Sequence, residues 1–135
     1  MFRLKYANQM NRMNDRQKLG RIGENLAVEY LKVKKYQILE RNWRYSRSEI
    51  DIITKFEGKL IFVEVKTKRT DEYLPPESTV GRIKKRRIID AANRYMEQIN
   101  YQDEIRFDIV SILVHGKSGH TITHFEDAFF PGMDG

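Results

Sequence analysis

The chain of 135 residues carries 25 Lys plus Arg against 19 Asp plus Glu, a formal net charge of +6, and no cysteine. That length suits one domain able to bury a core unaided, and the missing cysteines exclude a disulfide framework and thiolate metal sites. The basic balance favours a polyanionic partner such as nucleic acid, with anionic lipid and the ribosome left open by composition alone.

No apolar run approaches the ~20 residues of a membrane span, and Met1-Phe2-Arg3-Leu4-Lys5-Tyr6 lacks the apolar stretch of a signal peptide. The expectation is a soluble, cytoplasmic protein with no membrane partner.

In chain order, residues 1–15 are rich in Asn, Met and Arg without clean periodicity and read as a mobile basic arm or a short extra helix. Asn14-Asp15 can cap the element that follows. Residues 16–135 read as a single domain. From Arg16 to about Lys34, Leu19, Ile22, Gly23, Leu26, Ala27, Tyr30 and Leu31 recur at helical spacing and predict a helix with one apolar stripe. A strand follows over Tyr36 to Tyr45, then two strands in which charges interrupt β-branched runs, Ser48 to Ile53 and Leu60 to Lys66. Residues 70–79, with Pro75 and Pro76, read as a loop. Ser78 or Thr79 can cap a second helix to about Asn100, with Ile88, Ala91, Ala92, Tyr95, Met96 and Ile99 on its inner face. Strands at Glu104 to Val114 and His120 to Phe125 complete the order α-β-β-β-α-β-β. A right-handed crossover makes the strands flanking the second helix parallel neighbours, so the sheet is mixed and the fold class is α/β.

The two interrupted strands carry the chemistry. Alternation puts Glu49 and Asp51 on one face, and Glu64 and Lys66 on one face of the next strand. Phe56-Glu57-Gly58-Lys59 has the length and the glycine of a tight hairpin. With an even loop centred on Glu57-Gly58, Asp51 lies opposite Glu64, Glu49 opposite Lys66 and Ile53 opposite Phe62. Facing carboxylates repel at the ~4.5–5.5 Å of directly opposed Cβ atoms. A divalent cation held by oxygen ligands gives such a pair a reason to exist.

Asp51 and Glu64 are then the candidate metal ligands, with the Val65 carbonyl as a further oxygen. Lys66, one strand step beyond Glu64, can orient or deprotonate water or stabilise transition-state charge. Glu24, at the flank of the first helix's stripe, either completes the metal shell directly or through water, or is a solvated helix-flank glutamate.

The set Glu24, Asp51, Glu64-Val65-Lys66 resembles the PD-(D/E)XK superfamily of restriction-endonuclease-like nucleases. The chain is also similar to the uncharacterised YraN family, relatives of archaeal Holliday-junction resolvases. The matching stretches are Gly20 to Ala27, Glu49 to Ile53, Phe62 to Lys68 and Lys84 to Ile89. The resemblance implies a restriction-endonuclease-like mixed sheet flanked by helices and Mg²⁺ or Mn²⁺ as cofactor. It further implies metal-ligand roles for Asp51 and Glu64, a catalytic role for Lys66 and a supporting one for Glu24. The implied activity is metal-dependent endonuclease cleavage of branched or flapped DNA, commonly by a homodimer. One departure is Arg47-Ser48, where the family usually has glycines before the Glu-Ile-Asp strand.

Among the basic residues, Lys84 is expected to touch phosphate, with Lys85 also bordering the second helix's inward stripe and Arg86 and Arg87 pointing away to widen a backbone-binding patch. Arg47 and Lys68 join them as candidate nucleic-acid contacts. His120 and His124, on a strand, would lie ~13 Å apart, too far to share a metal. Trp43 and Tyr45 with Arg41 and Arg44 offer either a stacking surface for bases or core. Asp108 reads as a buried partner for a basic residue, without a functional role.

Two other functions stay open. One is a nucleic-acid-binding protein that keeps the fold without turnover, and the other an interaction protein whose acidic pair binds a cation for stability alone.

Overall fold

The computed structural model describes residues 13–70 and 80–130. Most of the expected N-terminal arm, residues 1–12, and the expected loop at 71–79 lie outside them. Among the described residues the elements are α1 (Asp15–Val33), β1 (Gln37–Tyr45), β2 (Ser48–Phe56), β3 (Lys59–Arg69), α2 (Arg82–Gln98), β4 (Ile105–Val114) and β5 (His120–Phe129). The predicted order is the observed one. No helix among them is long and apolar enough to cross a membrane.

Helix α1 starts where its cap dictates. The Asn14 side chain accepts the Gln17 N–H at 2.8 Å and the Gln17 side chain accepts the Asn14 N–H at 3.0 Å, a reciprocal capping box. The start of α2 differs from expectation. Its N-cap is Gly81, which makes no side-chain hydrogen bond, rather than Ser78 or Thr79, which lie outside the described residues. The last strand also runs further than expected, to Phe129 instead of Phe125, because Phe129 is buried against Phe107 with ring centroids 5.0 Å apart.

The strands lie in sequence order in one five-stranded sheet, antiparallel except for the parallel β3–β4 pair that α2 connects. Glu57 and Gly58 both have positive φ, 49° and 77°, the signature of a two-residue type I′ turn. The turn fixes the expected register, with Ile53 opposite Phe62 and Ile52 opposite Val63.

The helices cover opposite faces. Leu60, Phe62, Ile53, Phe107 and Ile109 pack with Ile88, Ala91, Ala92 and Tyr95 of α2, whereas Ile61, Val63, Ile52, Val110 and Ile112 pack with Ala27, Val28 and Leu31 of α1. Strand β3 is therefore apolar on both sides from Leu60 to Val63, as a central strand must be. Two expected core residues are exposed instead, Ile22 on α1 at 43% and Ile99, just past α2, at 45%. Trp43 belongs to the core reading rather than the stacking one, since its ring meets Tyr95 edge-on at 5.3 Å.

Gly23 brings α1 onto the sheet. A Cβ there would overlap the Thr67 hydroxyl and lie 2.7 Å from Thr67 Cβ. This close approach holds Glu24, the next residue, at the end of the sheet where β3 turns polar.

Candidate active site

Glu64 follows Phe62 on the α2 face of β3, the point at which that face changes from apolar to charged. The β2–β3 ladder ends with Ile52 and Val63, one pair short of Asp51 and Glu64. There the Asp51 carboxylate takes over, its Oδ2 accepting the Val65 N–H at 2.8 Å. The first turn of α2 closes the other side, where Lys84 Nζ lies 2.6 Å from Glu64 Oε1. These residues line a cleft of about 380 Å³ together with Arg47, Ser48, Glu49, Ile83, Arg87 and Ile88.

The charges in the cleft are strained. Burial pushes the Asp51 carboxyl well above its ordinary range, Glu64 and Glu24 add repulsion, and the Val65 N–H offsets only part of this. Burial raises Glu64 as well, with Lys84 pulling it back part of the way. For Lys84, burial alone would lower the ammonium's pKa, but Glu64 foremost, then Asp51 and Glu49, hold it above its usual value. Two carboxylates at the foot of an open cleft are thus short of positive charge even with an ammonium on one of them.

A hard divalent cation fits this donor set. Mg²⁺ keeps several waters and needs only one or two protein carboxylates plus substrate phosphate oxygens. Asp51 and Glu64 could supply the carboxylates and the Val65 carbonyl a third oxygen. Among the described residues no group of three or more His, Cys, Asp or Glu side chains converges to hold a metal by itself.

The other expected site residues divide. Glu24 does not line this cleft but an adjoining one of about 460 Å³, with Gln17, Arg21, Asn42, Arg44 and Glu49. Glu49 is common to both clefts. Glu24 lies 3.9 Å from Arg41, which also donates to Asn25 Oδ1 at 2.7 Å. Glu49 is bridged by Arg44 of the facing strand at 3.5 Å. Arg47 lines the main cleft. Arg87, expected to point away, lines it too, while Arg86 is exposed outside it and Lys85 is half-buried outside it. Lys66 and Lys68 are half-buried on β3 beyond Glu64, outside the cleft lining.

A second polar cluster lies on the α1 face, where Asp108 is the buried partner of a basic residue that the sequence suggested, Arg106. Asp108, fully buried, accepts two hydrogen bonds from Arg106 at 2.8 Å and the Asp127 N–H at 3.0 Å, and its Oδ2 is 2.7 Å from His124 Nε2. The other ring nitrogen of His124 is 3.1 Å from the Tyr30 hydroxyl. Arg-Phe-Asp on a strand was the available signal, because Arg106 and Asp108 share a face. His124 could not be added from sequence, since the β4–β5 register that brings it over includes a shift between Phe107 and Ile109.

Comparison with known proteins places these residues in a family. The model of the Uncharacterised protein family UPF0102 matches residues 23–112, which include Glu24, Asp51, Glu64, Lys66 and the basic turn of α2. A UPF0102 protein of Christiangramia forsetii is 44% identical over 118 residues, 87% of this chain and 98% of the relative. One from Parabacteroides distasonis is 44% identical over 121 residues, 90% of this chain and 97% of the relative. Another from Flavobacterium psychrophilum is 41% identical over 118 residues, 87% and 98% of the two chains. The chain belongs to the uncharacterised family UPF0102, the YraN-like family its motifs resemble.

Proposed function

We propose that this protein is a metal-dependent endonuclease of the PD-(D/E)XK type that hydrolyses phosphodiester bonds in branched or flapped DNA in the cytoplasm. The observation that carries the reading is the pair Asp51 and Glu64, two carboxylates side by side, Glu64 buried and Asp51 half-buried, in a cleft also lined by Arg47, Lys84 and Arg87. A fold optimised for stability alone would not keep that repulsion.

Mg²⁺ or Mn²⁺ held there would supply Lewis-acid polarisation of the phosphate and a water acidic enough to attack near neutral pH. Asp51 and Glu64 would hold it from two neighbouring strands, just past the last main-chain pair between them. In an extended strand the N–H and C=O of one residue point toward the same neighbour, so the Val65 carbonyl faces the Asp51 side along with the N–H that Asp51 accepts. Lys66, the next residue on the Glu64 face, orients the attacking water or meets developing charge. Arg47 and Arg87 bind the backbone on either side of the scissile bond. Cutting two strands of a junction calls for two such sites, hence a homodimer.

A non-catalytic DNA-binding protein with the same fold is the second reading. The Lys84 ammonium seated 2.6 Å from Glu64 favours it, since it meets one of the two carboxylates without a metal. Labelled duplex, flap, four-way-junction and single-stranded DNA incubated with the protein and Mn²⁺ or Mg²⁺ separates the two. Cleavage lost in both Asp51→Ala and Lys66→Ala supports the nuclease, and binding to every substrate without cutting supports the alternative.

A further inference from the structure

Lys84 occupies a peculiar position. Its ammonium makes a 2.6 Å ion pair with a carboxylate whose side chain is 5% exposed, yet its own side chain is 59% exposed. One end of the pair is locked in the sheet and the other is tethered by a flexible stem to the first turn of a helix. We propose that Lys84 is a displaceable counter-ion of Glu64 that exchanges its carboxylate for a substrate phosphate when a divalent cation binds. The inference rests on the reading of Asp51 and Glu64 as metal ligands.

The charges argue for exchange rather than coexistence. A divalent cation on a Glu64 oxygen at ~2.0–2.6 Å would stand within a few ångströms of an ammonium on the same carboxylate, well inside the ~8 Å over which salt screens charge. Glu64 cannot retreat, because it sits on a central strand paired with β4. Lys84 can, through four rotatable bonds with solvent on its open side. The first turn of α2 contains no acidic residue to recapture it, and Glu49, the other carboxylate of the cleft, is already bridged by Arg44 at 3.5 Å. Arg47 and Arg87 line the same cleft, so the released ammonium stays among cations, where a phosphodiester oxygen is the acceptor that relieves all three. Metal and DNA backbone then promote each other's binding, and the coupling is reciprocal by linkage.

Calorimetric titration of Mn²⁺ into the full chain without DNA tests this for wild type, Lys84→Met and Lys85→Met. Lys85 serves as the control because it carries the same charge one residue away, outside the cleft lining. Lys84→Met is expected to bind Mn²⁺ roughly tenfold more tightly than wild type, with Lys85→Met close to wild type. Fluorescence anisotropy of a short DNA duplex is expected to show Mn²⁺ raising affinity several-fold in wild type and less in Lys84→Met. Equal Mn²⁺ affinity in all three proteins would overturn the exchange while leaving the metal centre standing, as would a gain in Lys85→Met equal to that in Lys84→Met. No Mn²⁺ binding in any of them would overturn both.

Discussion

Asp51 Oδ2 accepts the Val65 N–H at 2.8 Å, immediately past the last main-chain pair of β2 and β3. A side chain thus continues the work of the ladder where the strands part. The carboxylate that stitches the sheet is also the one that burial and Glu64 most strongly oppose in its charged form. Orientation and strain are combined in one residue.

The sign of that strain is measurable. A carboxyl whose folded pKa is raised binds its proton more tightly in the folded state, so stability falls as pH climbs from the unfolded value of 3.8 toward the folded one. The cost grows across that interval as the carboxyl loses its proton in the folded state. Asp51→Asn keeps an acceptor for the Val65 N–H and removes the charge. Without divalent cations it should therefore be more stable than wild type by about 1–2 kcal/mol at pH 7, a gain that shrinks as pH falls and is gone by pH ~4. Urea unfolding at both pH values checks this, and a gain independent of pH would contradict it.

Gly23 and Gly20 sit three residues apart on α1 and should respond oppositely to alanine. At Gly20 an added Cβ meets nothing within 4 Å, so Gly20→Ala should stabilise by about 0.5–1 kcal/mol through helix propensity. At Gly23 it collides with Thr67, and Gly23→Ala should cost roughly 1–3 kcal/mol. Thr67→Ala removes the hydroxyl and methyl, so a double-mutant cycle should recover part of that cost. Additive effects would mean that helix and strand do not meet there as described.

These outcomes reflect what the sequence could and could not specify. The register of β2 on β3 was legible because Glu57-Gly58 admits a two-residue turn and a one-residue slip would turn Asp51 and Glu64 to opposite faces. The α2 start was not, because Ser78 and Thr79 are good caps by type and only the structure places the N-cap at Gly81. Asp51 and Glu64 converge as the alternation implied. Arg87 and Glu24 were harder, since a helical wheel gives the angle around an axis but not the tilt of the helix over the sheet. In the structure Arg87 lines the main cleft and Glu24 the neighbouring one. The Asp108 cluster needed three elements and a register shift, information that no single stretch of sequence carries.

Asp108 should govern the acid limb of stability. Burial alone would raise its pKa, but His124, Arg106 and the Asp127 N–H together lower it below 3.8. A lowered carboxylate contributes stability that is complete above the unfolded value and is lost as pH falls through the folded one. Asp108→Ala leaves the Arg106 charge without its closest acceptor and should cost about 3–5 kcal/mol at pH 7. Denaturant unfolding across roughly pH 2–6 should show a shallower acid dependence for Asp108→Asn than for wild type. An unchanged acid limb would place that dependence on other carboxylates.

DNA affinity should separate the cleft arginines from their neighbour. Arg47 and Arg87 line the cleft and Arg86, adjacent in sequence, does not. If the first two meet phosphates, Arg47→Ala and Arg87→Ala each weaken binding to any DNA sequence and reduce the slope of log K against log salt by about 1. Arg86→Ala acts only through the long-range field, which at ~0.15 M salt decays over ~8 Å, so its slope should stay near that of wild type. Anisotropy titrations of one duplex at several salt concentrations provide the measurement. Equal slope changes for Arg86 and Arg87 would mean that the backbone runs over the outer face of α2 instead of through the cleft, and the carboxylates would then lie away from the path of the DNA.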